Sequence, residues 1–92
     1  MLELRPLSCE QIARCLEIVA AALAEAGAAW TDVVRTRTYL TDVADWESVA
    51  GRLGAVFGEI RPASTMVVVA GFLDPRWKVE FEAEAVVGSA GG

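Results

Sequence analysis

Glu80, Glu82 and Glu84 recur at every second residue near the C-terminal end of the chain. An extended segment puts such residues on one face, roughly 7 Å apart, where like charges can raise one carboxyl toward the range of a general acid. The competing reading is a solvated strand face balanced by Lys78 and by cross-strand cations. Arg35 and Arg37 have the same spacing and would pair with the acidic row if the two segments adjoin. Glu82 and Glu84 fit that structural role, which leaves Glu80 as the candidate for a cleft. Cys9 and Cys15 are separated by roughly 9 Å of helical rise, too far for a disulfide, and read as reduced thiols. The chain contains no histidine. That argues against a Cys nucleophile and excludes Ser-His-Asp triads and most zinc sites.

These residues need elements to hold them. Ser8-Cys9-Glu10-Gln11 has capping-box spacing, so a helix is expected from about Cys9 to Ala26, with Ile12, Leu16, Val19 and Leu23 as its apolar stripe and Gly27 as its stop. Val33 to Leu40 reads as a strand with Val34, Thr36, Thr38 and Leu40 on one face and Val33, Arg35, Arg37 and Tyr39 on the other. Thr41 or Asp42 then caps a second helix carrying Trp46, Val49, Leu53, Val56 and Phe57, with Gly58 as its stop. Gly51 and Gly54 weaken that helix unless they admit a neighbouring backbone.

Ser64 to Ala70 is short and β-branched, the pattern of a buried strand. Gly71 to Arg76 is turn chemistry, and Trp77 to Val87 alternates with Val79, Phe81, Ala83 and Ala85 opposite the acidic row. The last two strands are expected to form a hairpin. Leu2 and Leu4 suggest a short edge strand ended by Pro6, and Gly88 to Gly92 a frayed tail. The expected architecture is α+β: a mixed sheet covered on one face by two helices, in one domain over 1–92.

Composition bounds what such a domain can do. At 92 residues it buries only about 60–65% of its unfolded surface. Hydrophobic residues make up 54% of the chain, and Val67 and Val69 fall on the sheet face away from the helices, so self-association is expected. A net charge of −5 with scattered basic residues argues against nucleic acid. No apolar run is long enough for a membrane span, and Met1 to Pro6 lacks the features of a signal peptide, so a cytoplasmic protein is expected.

In order and spacing, several segments together resemble the Rid family, the YjgF-type reactive-intermediate deaminases often labelled endoribonuclease L-PSP. They are Leu23 to Gly27, Asp32 to Asp42, Ala44-Asp45-Trp46, Phe57, Arg61-Pro62-Ala63 and Val79-Glu80-Phe81-Glu82-Ala83. The resemblance implies a chorismate-mutase-like fold and a homotrimer with a small-molecule cleft at each subunit interface. It also implies hydrolysis of enamines or imines such as 2-aminoacrylate, without cofactor or metal. A last-strand glutamate of the family, thought to position or activate water, matches Glu80. The family's substrate-carboxylate arginine, which follows Pro-Ala, falls on Ser64, which offers neither charge nor a bidentate fork. Thr65 or backbone groups are then expected to hold the substrate, with Arg61 or Arg76 as substitute guanidinium. Family members carry further strands before the first helix; here only Met1 to Leu7 precede Ser8, so those strands are expected to be largely missing. The alternative to an enamine or imine hydrolase is a non-catalytic metabolite-binding or interaction module of the same fold.

Overall fold

The apolar stripe of Ile12 and Leu16, continued by the half-buried Val19 and Leu23, lies along helix α1 (Leu7–Glu25). The structure, a computed structural model, describes residues 7–87. The edge strand expected over residues 1–7 and the tail at 88–92 therefore lie, but for Leu7, outside the described residues. Among the described residues, no helix is long and apolar enough to cross a membrane. Helix α1 ends as its sequence predicts. Gly27 adopts φ +75°, its N–H donates to the Ala24 carbonyl at 3.1 Å, and the Ala28 N–H donates to the Leu23 carbonyl at 2.8 Å. These two bonds satisfy carbonyls that the last turn would leave open, and only glycine takes that φ without a Cβ clash.

The start of α1 differs from the expected capping box. The helix already includes Leu7, so Ser8 sits inside it, 1% exposed, with a hydroxyl that finds no partner among the described residues. Gln11 does not turn back to the cap. Its Nε2 donates to the Arg76 carbonyl at 2.8 Å, and its Oε1 accepts the Lys78 N–H at 2.6 Å. Two bonds to backbone groups of the segment 69–78 outweigh one local cap bond. A buried hydroxyl without a partner costs about 1–3 kcal/mol, whereas a lost N-cap costs about 1 kcal/mol. Ser8→Ala is therefore expected to leave stability unchanged or raise it in a denaturant melt; a loss of about 1 kcal/mol would show that Ser8 is a cap after all.

Strand β1 (Val33–Leu40) follows a 3-10 turn at Trp30–Asp32. Its burial does not alternate throughout, because the register shifts between Val33 and Arg35: Val33 opposes Ala85 and Arg35 opposes Glu84, which leaves Val34 as the extra residue of a bulge. Val33, not Val34, therefore joins Thr36, Thr38 and Leu40 in the core. Asp42 accepts the Ala44 N–H at 2.9 Å and caps a 3-10 turn, Val43–Asp45, that leads into helix α2 (Trp46–Phe57).

The end of α2 also differs from expectation. Gly58 keeps helical angles, and the left-handed turn falls on Arg61 (φ +52°), whose N–H donates to the Phe57 carbonyl at 2.9 Å. Pro62 disfavours the right-handed helical region for the residue before it. Gly51 and Gly54 face open space rather than a neighbouring backbone.

Strand β2 (Ala63–Val68) runs parallel to β1, and β3 (Val79–Ala85) runs antiparallel to it, in the order β2-β1-β3. The expected β2-β3 hairpin is absent because β1 lies between the two. Residues 69–78 can span about 33 Å when extended, ample for crossing two strand spacings of about 4.8 Å. The strand expected to be buried, β2, is an edge strand exposed along most of its length; only Met66 is half-buried. Ile12, Leu16, Val33, Leu40, Val49, Leu53, Phe57, Val79 and Phe81 form the core between the helices and the sheet. Phe57 is central to it, with Trp30 edge-on at 5.1 Å and Phe81 at 6.1 Å between ring centroids. The mixed sheet covered on one face by two helices is the α+β architecture expected from the sequence.

Candidate active site at the outer edge of the last strand

The open sheet face is a set of rungs. Arg35 opposes Glu84, Arg37 opposes Glu82 and Tyr39 opposes Glu80, with Ala63, Thr65 and Val67 of β2 completing the rows. The Arg35 and Glu84 side chains come within 4.0 Å, an exposed pair of small energetic weight. Glu84 thus takes the structural role read from its spacing, and Glu82 stands level with Arg37 on the same face. Glu80 differs from both, since its cross-strand neighbour is a tyrosine rather than an arginine. The face is charged along β1 and β3 and apolar only toward β2, where Val67 is 40% exposed.

Glu80 lines a cleft of about 480 Å³ where α1 overhangs β3. Gln11, Arg14 and Cys15 form one wall, Phe72, Leu73 and Trp77 from the β2-β3 connection form another, and Val79, Glu80 and Phe81 form the floor. The wall residues of α1 stand at i, i+3 and i+4 and so share one helix face. Gln11 holds the connection in place through its two backbone bonds. A second lock lies next to it. Asp74 accepts the Arg76 N–H at 2.9 Å and takes the Arg76 guanidinium on both oxygens, at 3.0 Å from Nε and 2.7 Å from Nη2. Those bonds hold the Asp74 carboxyl below its usual range. The turn they fix leaves Leu73 99% and Trp77 52% exposed, an apolar rim standing in water.

Cys15 faces the same cleft. Burial pushes its thiol pKa up, and the Glu80 charge pushes it further. It therefore stays protonated at neutral pH, which is the wrong state for a nucleophile. Cys9 sits apart, its Sγ 3.4 Å from Nε of Arg52 on α2. Among the described residues, no group of three or more Cys, Asp or Glu side chains is placed to hold a metal ion.

The sequence-predicted site residues do not converge in one chain. Ser64 and Arg61 line a separate hollow of about 300 Å³ beneath the end of α2, with Thr36 and Phe57. Thr65 lies on the open face beside Arg37, and Arg76 is engaged by Asp74. Glu80 lies on the far side of β1 from Ser64 and Thr65, two strand spacings or about 10 Å across the sheet and further along it, since Ser64 is level with Ala83 and Thr65 with Glu82. The residues that do share its cleft, Arg14 and Trp77 above all, were not singled out by sequence. The available signal was the spacing of Gln11, Arg14 and Cys15, which puts them beside the buried stripe of α1.

The family model described as endoribonuclease L-PSP matches residues 4–87 of the chain. An uncharacterized protein of Streptomyces coelicolor is 38% identical over 68 residues, which is 74% of this chain and 51% of that protein. A RutC family protein of Pyrococcus abyssi is 40% identical over 60 residues, 65% of this chain and 47% of the relative. The chain thus spans about half the length of the curated relatives it matches. Among solved structures, a member of the YjgF/YER057c/UK114 family from Mycobacterium tuberculosis superposes with a TM-score of 0.76 at 44% identity, over 78% of this chain and 61% of the other.

Proposed function

The chain belongs to the endoribonuclease L-PSP family, the YjgF or Rid proteins, and on that premise we propose that it hydrolyses reactive enamines or imines to a carbonyl compound and ammonium. Glu80 carries the reading, because it alone of the acidic row lines the β3-edge cleft and has no arginine opposite it. In the reaction, which an enamine enters as its imine tautomer, Glu80 takes a proton from water as the oxygen adds to the C=N carbon and passes it to the nitrogen. The C–N bond of the resulting carbinolamine then breaks as its hydroxyl proton moves to the nitrogen, which leaves as ammonia, and the carbon keeps the water oxygen as C=O. The exposed position of Glu80 gives water access to its carboxylate.

The working unit in this reading is a homotrimer in the cytoplasm, with a small-molecule cleft at each subunit boundary and neither cofactor nor metal. Exposure of β2 along its length supports the assembly, since parallel strands are ordinarily covered on both faces. A net charge of −5 speaks against RNA as the substrate, and against a membrane surface. One observation favours a non-catalytic, metabolite-binding role instead: Ser64 stands where the resemblance implies the substrate-binding arginine.

The test is release of ammonium and pyruvate from 2-aminoacrylate generated in situ, measured against its spontaneous hydrolysis. An acceleration, smaller than that of an arginine-bearing relative, is the expected result; no acceleration at micromolar protein would favour the binding role. Light scattering on the same preparation is expected to give three times the 9.8 kDa chain mass, and a value near one chain mass would sink the trimer.

A further inference from the structure

We infer that Arg14 is the carboxylate anchor of the β3-edge cleft, and that the cleft takes monocarboxylates carrying an adjacent N–H donor and a flat apolar body. The inference rests on Glu80 being the polar floor of that cleft and deepens the proposal by naming the substrate class. The charge, the lining and the volume of the cleft carry it.

Arg14 is the cation of the cleft wall, on the same helix face as Gln11 and Cys15. Other guanidiniums are committed elsewhere: Arg76 to Asp74, Arg35 to Glu84, Arg52 to Cys9, and Arg61 lies in the hollow with Ser64. The present partner of Arg14 is Glu17 at 2.9 Å, with the two side chains 70% and 67% exposed. Such a pair contributes little and yields readily to a carboxylate held in a less polar place.

The floor then restricts the ligand further. A bare carboxylate near Glu80 is repelled unless it presents a donor to that side chain, so the ligand needs an N–H next to its carboxylate. Cys15, kept as a thiol by burial, adds no second negative charge. Finally, Phe72, Trp77 and Phe81 give the cleft an apolar lining and a volume of about 480 Å³, far more than a three-carbon enamine fills. Unsaturated amino or imino acids with an aromatic or branched side chain match it in charge, donor position and bulk.

Anthranilate is a stable probe of that class, with an amino group beside a carboxylate on a flat ring. Calorimetric titration of the full chain is expected to show binding of anthranilate tighter than that of benzoate, which lacks the donor, or anthranilamide, which lacks the charge. Arg14→Gln should weaken anthranilate at least tenfold and leave anthranilamide within twofold, and Arg14→Lys should recover part of the loss. Glu17→Gln, by releasing Arg14, should tighten anthranilate about twofold. Glu80→Gln should remove the preference for anthranilate over benzoate. Arg14 is exposed, so circular dichroism of the variants should match wild type. No binding of anthranilate to wild type, or an Arg14→Gln affinity within twofold of it, would overturn the inference. If binding follows Arg14 while no enamine is hydrolysed, the anchor stands and the hydrolase reading fails. If hydrolysis follows Glu80 while Arg14→Gln binds as wild type, the anchor alone falls.

Discussion

Glu80→Gln is expected to lower enamine hydrolysis at least a hundredfold and to leave the folded protein intact. The amide keeps the size and hydrogen bonding of the carboxylate but takes no proton from water, and positioned proton transfer is worth about 10²–10⁴ in rate. The fold should tolerate the change because Glu80 is exposed, faces Tyr39 across the strand pair and makes no ion pair among the described residues. Its flanking residues Val79 and Phe81 supply the burial, at 6% and 8% exposure. Stability is therefore expected within about 1 kcal/mol of wild type, the scale of an exposed polar substitution. Turnover within twofold of wild type would remove Glu80 from the chemistry and leave it as part of a solvated strand face. Glu82→Gln is the control. Glu82 lies opposite Arg37, away from the cleft, so its loss should leave turnover unchanged.

Phe57→Ala is expected to unfold the isolated chain or bring it to the edge of unfolding. Truncating a buried phenylalanine costs about 3–5 kcal/mol through lost transfer energy and the cavity left behind. A domain of this size has a total stability of only about 5–14 kcal/mol. Phe57 is 7% exposed and joins three parts of the fold: its own helix α2, Trp30 ahead of β1, and Phe81 on β3. No single neighbour can collapse into the space left by its ring without breaking one of those contacts. A denaturant melt would measure the loss, and a shift under about 1.5 kcal/mol would show that the core repacks around the cavity. Trp46→Ala, on the same helix but 50% exposed, should cost much less.

Much of the secondary structure was legible from local spacing. The stripe Ile12, Leu16, Val19, Leu23 and the stop at Gly27 define α1 because a 3.6-residue period and a positive φ depend only on near neighbours. The alternation of Val79 and Phe81 against Glu80 and Glu82 is equally local, since a strand repeats every two residues. Family membership followed from such segments in order, as did the α+β class. What the tertiary structure decided depends on which distant groups compete for the same partner. Whether β3 pairs with β2 or with β1 cannot be read from either strand's alternation, which is the same in both pairings; the length of residues 69–78 permits the crossing and the register onto β1 realises it. The bulge at Val34 moves Val33 into the core through a mismatch with β3 that lies far away in sequence. Gln11 leaves the capping box for the Arg76 and Lys78 backbone, which only the folded chain brings within reach. Residues far apart in sequence then meet for the same reason: once α1 packs across β3, Arg14 and Glu80 share one cleft, while β1 separates Glu80 from Ser64.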